Sequence, residues 1–473
     1  MAHASTQHRE FLKAPSHAAQ RPDVSGAAQQ VIADVRERNI AAVRHWSNEF
    51  DRWNPPDFRI PDTTIHRAQA ETSPELLQQI DFALRQIRGF AAAQKECIKP
   101  LSYKPSAGVE LGHKIVPLGS VGCYVPGGVY PLIASALMTI ATAKVAGVSR
   151  VVACAPGKPQ YNGIHPTQLA AMSRAGADEI YAVGGIQALA AMAFGADGFG
   201  HPVDLICGAG NAYVAEAKRQ LFGTVGIDLL AGPTEILVVA DDTADSTLLA
   251  YDLLGQAEHG VDSPAILITL SREIGKQTIA KTEELLANDY PTAKVAGQSW
   301  RDFGTVVYCD SHEAAATLCD EMAPEHLEVH ARELHWWHNR LKNYGSIFLG
   351  RHATVAYGDK AIGTNHVLPT RGAARYTSGL WVGSFLKTPS YQIVDNAAAS
   401  VPIAEATAAI SDAEGMFGHG LTATIRIADT HNQHNGPSQH NGPDKPPHQQ
   451  TSQQQMPQRT EQSNDANHRP NNR

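Results

Sequence analysis

The chain lacks any apolar run of the roughly 18–20 residues that a membrane-spanning helix requires. It also lacks a run of basic residues, and its formal net charge is −8. Together these argue against a nucleic-acid or anionic-membrane surface. Paired cysteines are missing as well. Cys97, Cys123, Cys154, Cys207, Cys309 and Cys319 are scattered with no CxxC spacing, which argues against a zinc-thiolate site or a disulfide framework and fits a reducing cytoplasm. The opening residues, MAHASTQHREFLKAPSHAAQ, hold no apolar signal core, so no export signal is read. What remains is the balance of a water-soluble enzyme: 473 residues, 43% hydrophobic and 18% charged, enough for two or three domains.

From about Asp429 the chain is rich in Gln, Asn, Pro and His and almost without apolar residues. It cannot bury enough surface to offset ordering entropy, so disorder is expected. Its repeated HNGP and scattered histidines offer weak metal donors, but a solvated tail is the plainer reading. The body alternates strand and helix signals. RVVACAP, EIYAVGG and VDLICGAG read as strands, and QLAAMSRAGA and IQALAAMAFGA as helices, the first closing on Gly176. A second series follows: TEILVVADD, an Asp/Ser-capped helix DSTLLAYDLLGQAEHG, PAILITL, TVVYCDS and the helix HEAAATLCDEMA. This rhythm predicts two α/β regions of similar size with parallel sheets, behind an N-terminal segment to about Pro100 that is mainly helical.

Enzymes of this class bind ligands in turns at the carboxyl ends of strands. Three glycine-rich turns stand there: GCYVPGG (122–128), VGGIQAL (183–189) and CGAGNAYVAEAKR (207–219). None is a full dinucleotide fingerprint, since Tyr213 sits where the third small residue belongs. Each alone reads first as a tight turn, but three at successive strand ends point toward a nucleotide cleft.

Polar residues collect in four places. Gln256 and His259, three apart at the end of an apolar helix, share a face. Glu325 and His326 are adjacent in APEHLEVH and on a helix point apart, so one is free to act on a proton and the other on a water. Asp359 and His366 lie in a glycine-bracketed loop, YGDKAIGTNHVLPT, and Glu414 and His419 are five apart in EGMFGHG. A lone histidine is more often a satisfied core or surface residue, and an Asp between Gly and Lys a turn former. As a set they offer the nitrogen and oxygen donors that suit zinc or another borderline divalent ion.

GIDLLAGPTEILVVADDTAD, LLGQAEHG, APEHLEV, GSIFLG and GTNHVLPT, in this order, resemble the histidinol dehydrogenase family over about Pro15 to Ala428. The resemblance implies oxidation of a primary alcohol through an aldehyde to a carboxylate, with two NAD molecules used in succession and the substrate held on one zinc per chain. It implies Gln256, His259, Asp359 and His419 as zinc ligands, the last contributed by the partner subunit of an obligatory homodimer with shared active sites. These four, with Thr234, His326 and Glu414, are the implied substrate contacts. Glu325 and His326 match the catalytic pair, and Tyr124, Gln187 and Asn211 the NAD contacts, one in each glycine-rich turn. The implied fold is α/β: two Rossmann-like α/β domains with a helical N-terminal segment and a small C-terminal dimer-swapping segment. The expected boundaries are 1–22 for an N-terminal arm, 23–118 with 237–376 for the first α/β domain, 119–236 for the NAD-contacting domain, 377–428 for dimerisation and 429–473 for the tail.

The chemistry is compatible with the residues. Two imidazoles, a carboxylate and an amide leave zinc room for substrate. His326 has a suitable ordinary pKa to take a hydroxyl proton, Glu325 to polarise a water, and NAD carries the hydride. The leading substrate is L-histidinol, giving L-histidine. Several details depart from that pattern: ELHWWHNRLKNYGSIFLG and YGDKAIGTNH are similar to paralogues such as sulfopropanediol dehydrogenase, Thr234 stands where many members have Ser, and Ala209 where Pro is usual. The second reading is therefore another small alcohol, such as sulfopropanediol oxidised to sulfolactate. A third is a catalytically silent member that binds metal or nucleotide, although every aligned position holds a competent residue.

Overall fold

The computed structural model describes residues 9–16, 23–127 and 130–428. Gly128 of the first glycine-rich turn and the Gln/Asn/His-rich tail lie outside these. The chain divides into two units. One comprises Tyr103 and the residues before it with Glu110–Gln392, the other Lys104–Val109 with the chain from Ile393 onward.

The first unit opens with a strand, β1 (Arg9–Lys13), and four helices, α1 (Ser25–Arg38), α2 (Ile40–Asp51), α3 (Asp62–Glu71) and α4 (Pro74–Glu96). The four helices agree with the helical N-terminal segment expected. The strand was not expected: REFLK carries no alternation and is mostly exposed. Main-chain pairing with the edge of a distant sheet holds it instead. Three short strands follow, β2 (Leu101–Ser106), β3 (Val109–His113) and β4 (Val116–Pro117).

The first βα series is β5 (Ser120–Tyr124), α5 (Ile133–Ala146), β6 (Arg150–Ala155), α6 (Pro166–Ala175), β7 (Glu179–Ala182), α7 (Gly185–Phe194), β8 (Leu205–Cys207), α8 (Ala212–Leu221) and β9 (Gly226–Ile227). Its strands pair in parallel in the order β7-β6-β5-β8-β9. α5 is apolar on nearly every side and correspondingly buried almost throughout. α6 begins with Pro166, whose missing N–H costs nothing there, and ends on Gly176 at φ +106°.

The second series is β10 (Ile236–Ala240), α9 (Ser246–Ala257), β11 (Ala265–Thr269), α10 (Arg272–Ala287), α11 (Ala293–Phe303), β12 (Thr305–Cys309), α12 (His312–Met322), β13 (His326–His330), α13 (Leu334–Arg340), β14 (Ser346–Leu349) and α14 (Val355–Lys360). The sheet order is β1-β12-β11-β10-β13-β14, with only the β1 pairing antiparallel. Asp245 caps α9 by accepting from Thr247 N–H. Leu249, Leu253 and Leu254 of α9 join one core face of this sheet, while Leu327 and Val329 of β13 join the other with Ala315 and Trp337. Apart from β1 the two sheets have the same winding. Each runs outward through three strands and then returns beside the first, so the topological switch point falls between β5 and β8 in one and between β10 and β13 in the other.

β15 (Leu386–Lys387) pairs with β4, and β16 (Ser390–Val394) with β3 and β2 in a small sheet within which the division between units falls. The second unit carries α15 (Ala397–Glu414) and α16 (Phe417–Thr424), which pack on one another. Ile403, Ile410, Phe417 and Leu421 on this pair, and Ile425 just past it, are exposed. Among the described residues no helix is long and apolar enough to cross a membrane.

A buried ion pair secures the turn after β8. Lys218 and Asp228 bond one another while 2% and 0% exposed. Lys218 Nζ also donates to Gly208 O at 3.0 Å, and Gly208 N–H donates to Asp228 Oδ2 at 2.8 Å. Gly208 is required there: its φ is +114°, and a Cβ would meet Tyr124 O at 2.1 Å. Lys218→Met leaves Asp228 buried without its cation. It is expected to lower the unfolding free energy by about 3–5 kcal/mol in chemical denaturation, and a loss below about 1 kcal/mol would show the pair to be dispensable.

Candidate active site

The end of α9 and the start of β13 meet in one buried polar site. Gln256, 2% exposed, is in the last turn of α9. His259 lies just beyond the helix, its N–H bonded to Gln256 O at 3.2 Å. APEHLEVH forms a strand, not the helix expected, with His326 its first residue and Glu325 just before it. Leu327 and Val329 alternate toward the core beneath α12 and α13, and period-two burial outweighs any helical preference in so short a run. Asp359 belongs to the short helix α14, not to a loop, and Thr354 caps that helix by accepting from Ala356 N–H.

An unbroken series of contacts links these side chains. Gln256 Nε2 donates to Thr234 Oγ1, and Thr234 Oγ1 donates to Glu325 Oε2 at 2.6 Å. Glu235 N–H donates to the same carboxylate oxygen at 2.9 Å. Glu325 Oε2 lies 3.5 Å from His326 Nδ1, and His326 Nε2 lies 3.6 Å from Asp359 Oδ1. The other Asp359 oxygen lies 3.6 Å from His259 Nε2. Glu325 and His326 are 5% and 2% exposed, whereas the His259 side chain is 34% exposed, so the site opens to solvent at His259.

Hydrogen bonding fixes the His326 ring. Its Nδ1–H donates to Glu235 O at 2.9 Å, and Nε2 is buried with no hydrogen-bond partner. The ring nitrogen left without a partner is thus Nε2, turned toward Asp359. Burial opposes the His326 imidazolium, but the Glu325 and Asp359 carboxylates outweigh it and push its pKa up to about 9. Burial likewise pushes Glu325 up to about 7 against the pull of His326. Burial also raises Asp359, yet attraction to the neighbouring His326, His366 and His259 imidazoles prevails and holds it well below the usual carboxylate range. Burial lowers His259.

Two further residues serve the site. Glu235 supplies the carbonyl that orients His326, and its carboxylate accepts from Arg371 N–H at 2.9 Å. The only sequence signal for it is its place beside Thr234. His366, whose pKa burial lowers, donates from Nδ1 to Asp359 O at 3.0 Å and stands with Nε2 3.0 Å from Ser135 Oγ of α5. It pins the end of α14 and does not join the Asp359 carboxylate.

The expected NAD contacts stand at the carboxyl edge of the first sheet, around its switch point. Tyr124 is 5% exposed and its hydroxyl accepts from Gly185 N–H at 3.3 Å. Gln187 is fully buried: its Nε2 donates to Asp51 Oδ2 at 3.3 Å, and its Oε1 has no partner. Asn211 is exposed and caps α8, accepting from Tyr213 and Val214 N–H at 3.1 Å each. Glu414, the last residue of α15, and His419 on α16 belong to the second unit and are both exposed.

Comparison with known proteins bears on the family. The pattern of the family described as histidinol dehydrogenase matches residues 14–427. The chain is 47% identical over 404 residues to a protein of Mesorhizobium japonicum named histidinol dehydrogenase homolog 1, covering 85% of this chain and 80% of that one. It is 43% identical over 424 residues to sulfopropanediol 3-dehydrogenase of Ruegeria pomeroyi, covering 89% and 96%. The crystal structure of histidinol dehydrogenase from Elizabethkingia anophelis superposes with a TM-score of 0.83 at 33% identity, covering 88% of this chain and 95% of that one. With the fold shared and the family pattern matched across nearly the whole body, this chain belongs to the histidinol dehydrogenase family of oxidoreductases.

Proposed function

We propose that the chain is a zinc- and NAD-dependent dehydrogenase that oxidises a small polar primary alcohol through the aldehyde to the carboxylate. The observation that carries the reading is the open His326 Nε2, buried beside Asp359 with its other ring nitrogen committed to Glu235 O. A ring so fixed is a base for the alcohol hydroxyl in the first hydride transfer. For the second, Glu325 holds a carboxyl pushed up to about 7 and oriented by Thr234 and Glu235 N–H, a state suited to exchanging a proton with a water that adds to the aldehyde.

The donor set fits the metal. His259 and Asp359 converge, and Gln256 spends its N–H on Thr234, which leaves its carbonyl oxygen as the donor atom. These are three ligands for an ion that favours four, and His419 from a partner chain is the proposed fourth. When bound, the ion anchors the substrate and takes up the Asp359 charge, which lets the His326 imidazole return toward its ordinary range. Tyr124, Gln187 and Asn211 are the proposed NAD contacts, and the unpartnered Gln187 Oε1 supports a polar ligand there. The exposed apolar residues of α15 and α16 support a homodimer in which this helical pair is covered.

L-Histidinol, oxidised to L-histidine, is the substrate the family description favours. A small sulfonated alcohol is the second reading, favoured by the 43% identity to a sulfopropanediol 3-dehydrogenase and by Thr234, which adds a methyl group to the site. Steady-state NAD reduction with L-histidinol beside sulfopropanediol decides between them. The favoured alcohol should yield two NADH per molecule, and turnover of neither would reject both.

His326→Ala is expected to cut turnover by about 10²–10⁴-fold with NAD affinity unchanged. A variant near wild-type rate would remove His326 from the role of base.

Mixing His419→Ala chains with His326→Ala chains tests the shared site. A mixed dimer carries both defects in one site and neither in the other, so activity should return from two inactive parents. Mixed dimers that form but stay inactive would place both residues in one chain's own site.

A further inference from the structure

A second buried polar cluster lies on the same strand and plays no part in the proposed reaction. β13 sends Leu327 and Val329 to one core face, and alternation sends His326, Glu328 and His330 to the other, beneath α9. Glu328 is 0% and His330 4% exposed. Asp252, one turn before Gln256 on α9, completes the group. His330 Nε2 lies 3.6 Å from Asp252 Oδ2 and 3.4 Å from Glu328 Oε2. Ligand atoms of all three fall within 4.8 Å of one another.

Outer hydrogen bonds aim this set. Thr354 Oγ1 donates to Asp252 Oδ1 at 2.9 Å, and Val355 N–H donates to Glu328 Oε1 at 2.6 Å. The second oxygen of each carboxylate is left facing the imidazole, the way outer partners orient metal ligands. The spacing also suits an ion, since donors about 2.1 Å from a tetrahedral centre stand about 3.4 Å apart.

Charge points the same way. Among the described residues no lysine or arginine side chain bonds either carboxylate, so even a protonated His330 leaves the group negative. Two carboxylates buried side by side are costly without a cation to balance them. One divalent cation with a neutral imidazole balances two carboxylates. His330 also lines a cavity of about 340 Å³ with Thr243, Asp245, Leu349 and Arg351, at the switch point between β10 and β13.

We propose that Asp252, Glu328 and His330 form a second divalent-cation site, separate from the proposed catalytic zinc ligands, that takes zinc or a similar borderline ion and leaves its open position toward this cavity. Such an ion clamps α9, which carries Gln256, to β13, which carries His326.

The test uses the full-length protein, stripped by chelator and reloaded with Co2+, with bound cobalt measured by elemental analysis and by its visible spectrum. A His259→Ala, His419→Ala background removes two of the proposed zinc ligands and isolates the cluster. That background is expected to keep about one cobalt per chain. Adding His330→Ala, or the near-isosteric Asp252→Asn where the first does not fold, should weaken cobalt binding by at least about tenfold. A folded background protein that binds no cobalt overturns the proposal, because a shared proton then balances the carboxylates. Cobalt that survives the added substitution overturns it too. Neither outcome bears on the proposed catalytic zinc site, two of whose four ligands are already removed.

Discussion

β13 is paired on both edges and covered on both faces, yet every second residue along it is ionisable. Burying an imidazole or a carboxylate without partners costs several kcal/mol, so a strand reading His-Leu-Glu-Val-His is tolerated only where the opposite wall answers each polar group. α9 is that wall. It presents Asp252 and Gln256 one turn apart, with His259 just past its end. A helix advances about 6 Å over four residues and a strand about 6.6 Å over two, so the two polar rows run nearly in step. Asp252 meets Glu328 and His330, while Gln256 reaches Glu325 through Thr234.

That pairing explains why the candidate site lies at the amino end of β13. In the first sheet, the turns with the expected NAD contacts stand at the carboxyl edge, as the switch-point rule leads one to expect. The second sheet has the same winding but carries Glu325 and His326 at its opposite edge, with a cavity at the switch point itself. One topology thus serves differently in its two copies. The difference rests on side chains: glycines and a buried Lys218–Asp228 pair shape the turn after β8, and a polar stripe shapes the face of β13.

His326 shows how little separates an imidazole with an open nitrogen from one that is fully engaged. Its Nδ1–H is satisfied by a backbone carbonyl, which any residue at position 235 could supply, and its Nε2 is left open. His330, four residues along the same face, has its Nε2 between two carboxylates. His366 has both nitrogens engaged, by Asp359 O and Ser135. Residue type is the same in all three, and the neighbours decide what each can do.

The βα rhythm was legible in the sequence because each element carries its own boundary chemistry: Asp245 before α9, Gly176 after α6, apolar runs at the strands. Gln256, His259, Glu325, His326 and Asp359 were legible as residue types in long family motifs. The helix expected at APEHLEVH became a strand, since five residues carry too little periodicity to separate the two and burial on both faces settled it. β1 had no local signal, because its stability comes from a partner edge remote in sequence. Glu235 as orienter of His326, and Asp252 beside Glu328 and His330, likewise follow from distances between segments that the sequence leaves unrelated. The sequence by itself determined which residues were available and which elements would carry them. Only the tertiary structure decided which met, because contact between distant side chains depends on strand order and face, and neither is a local property of the chain.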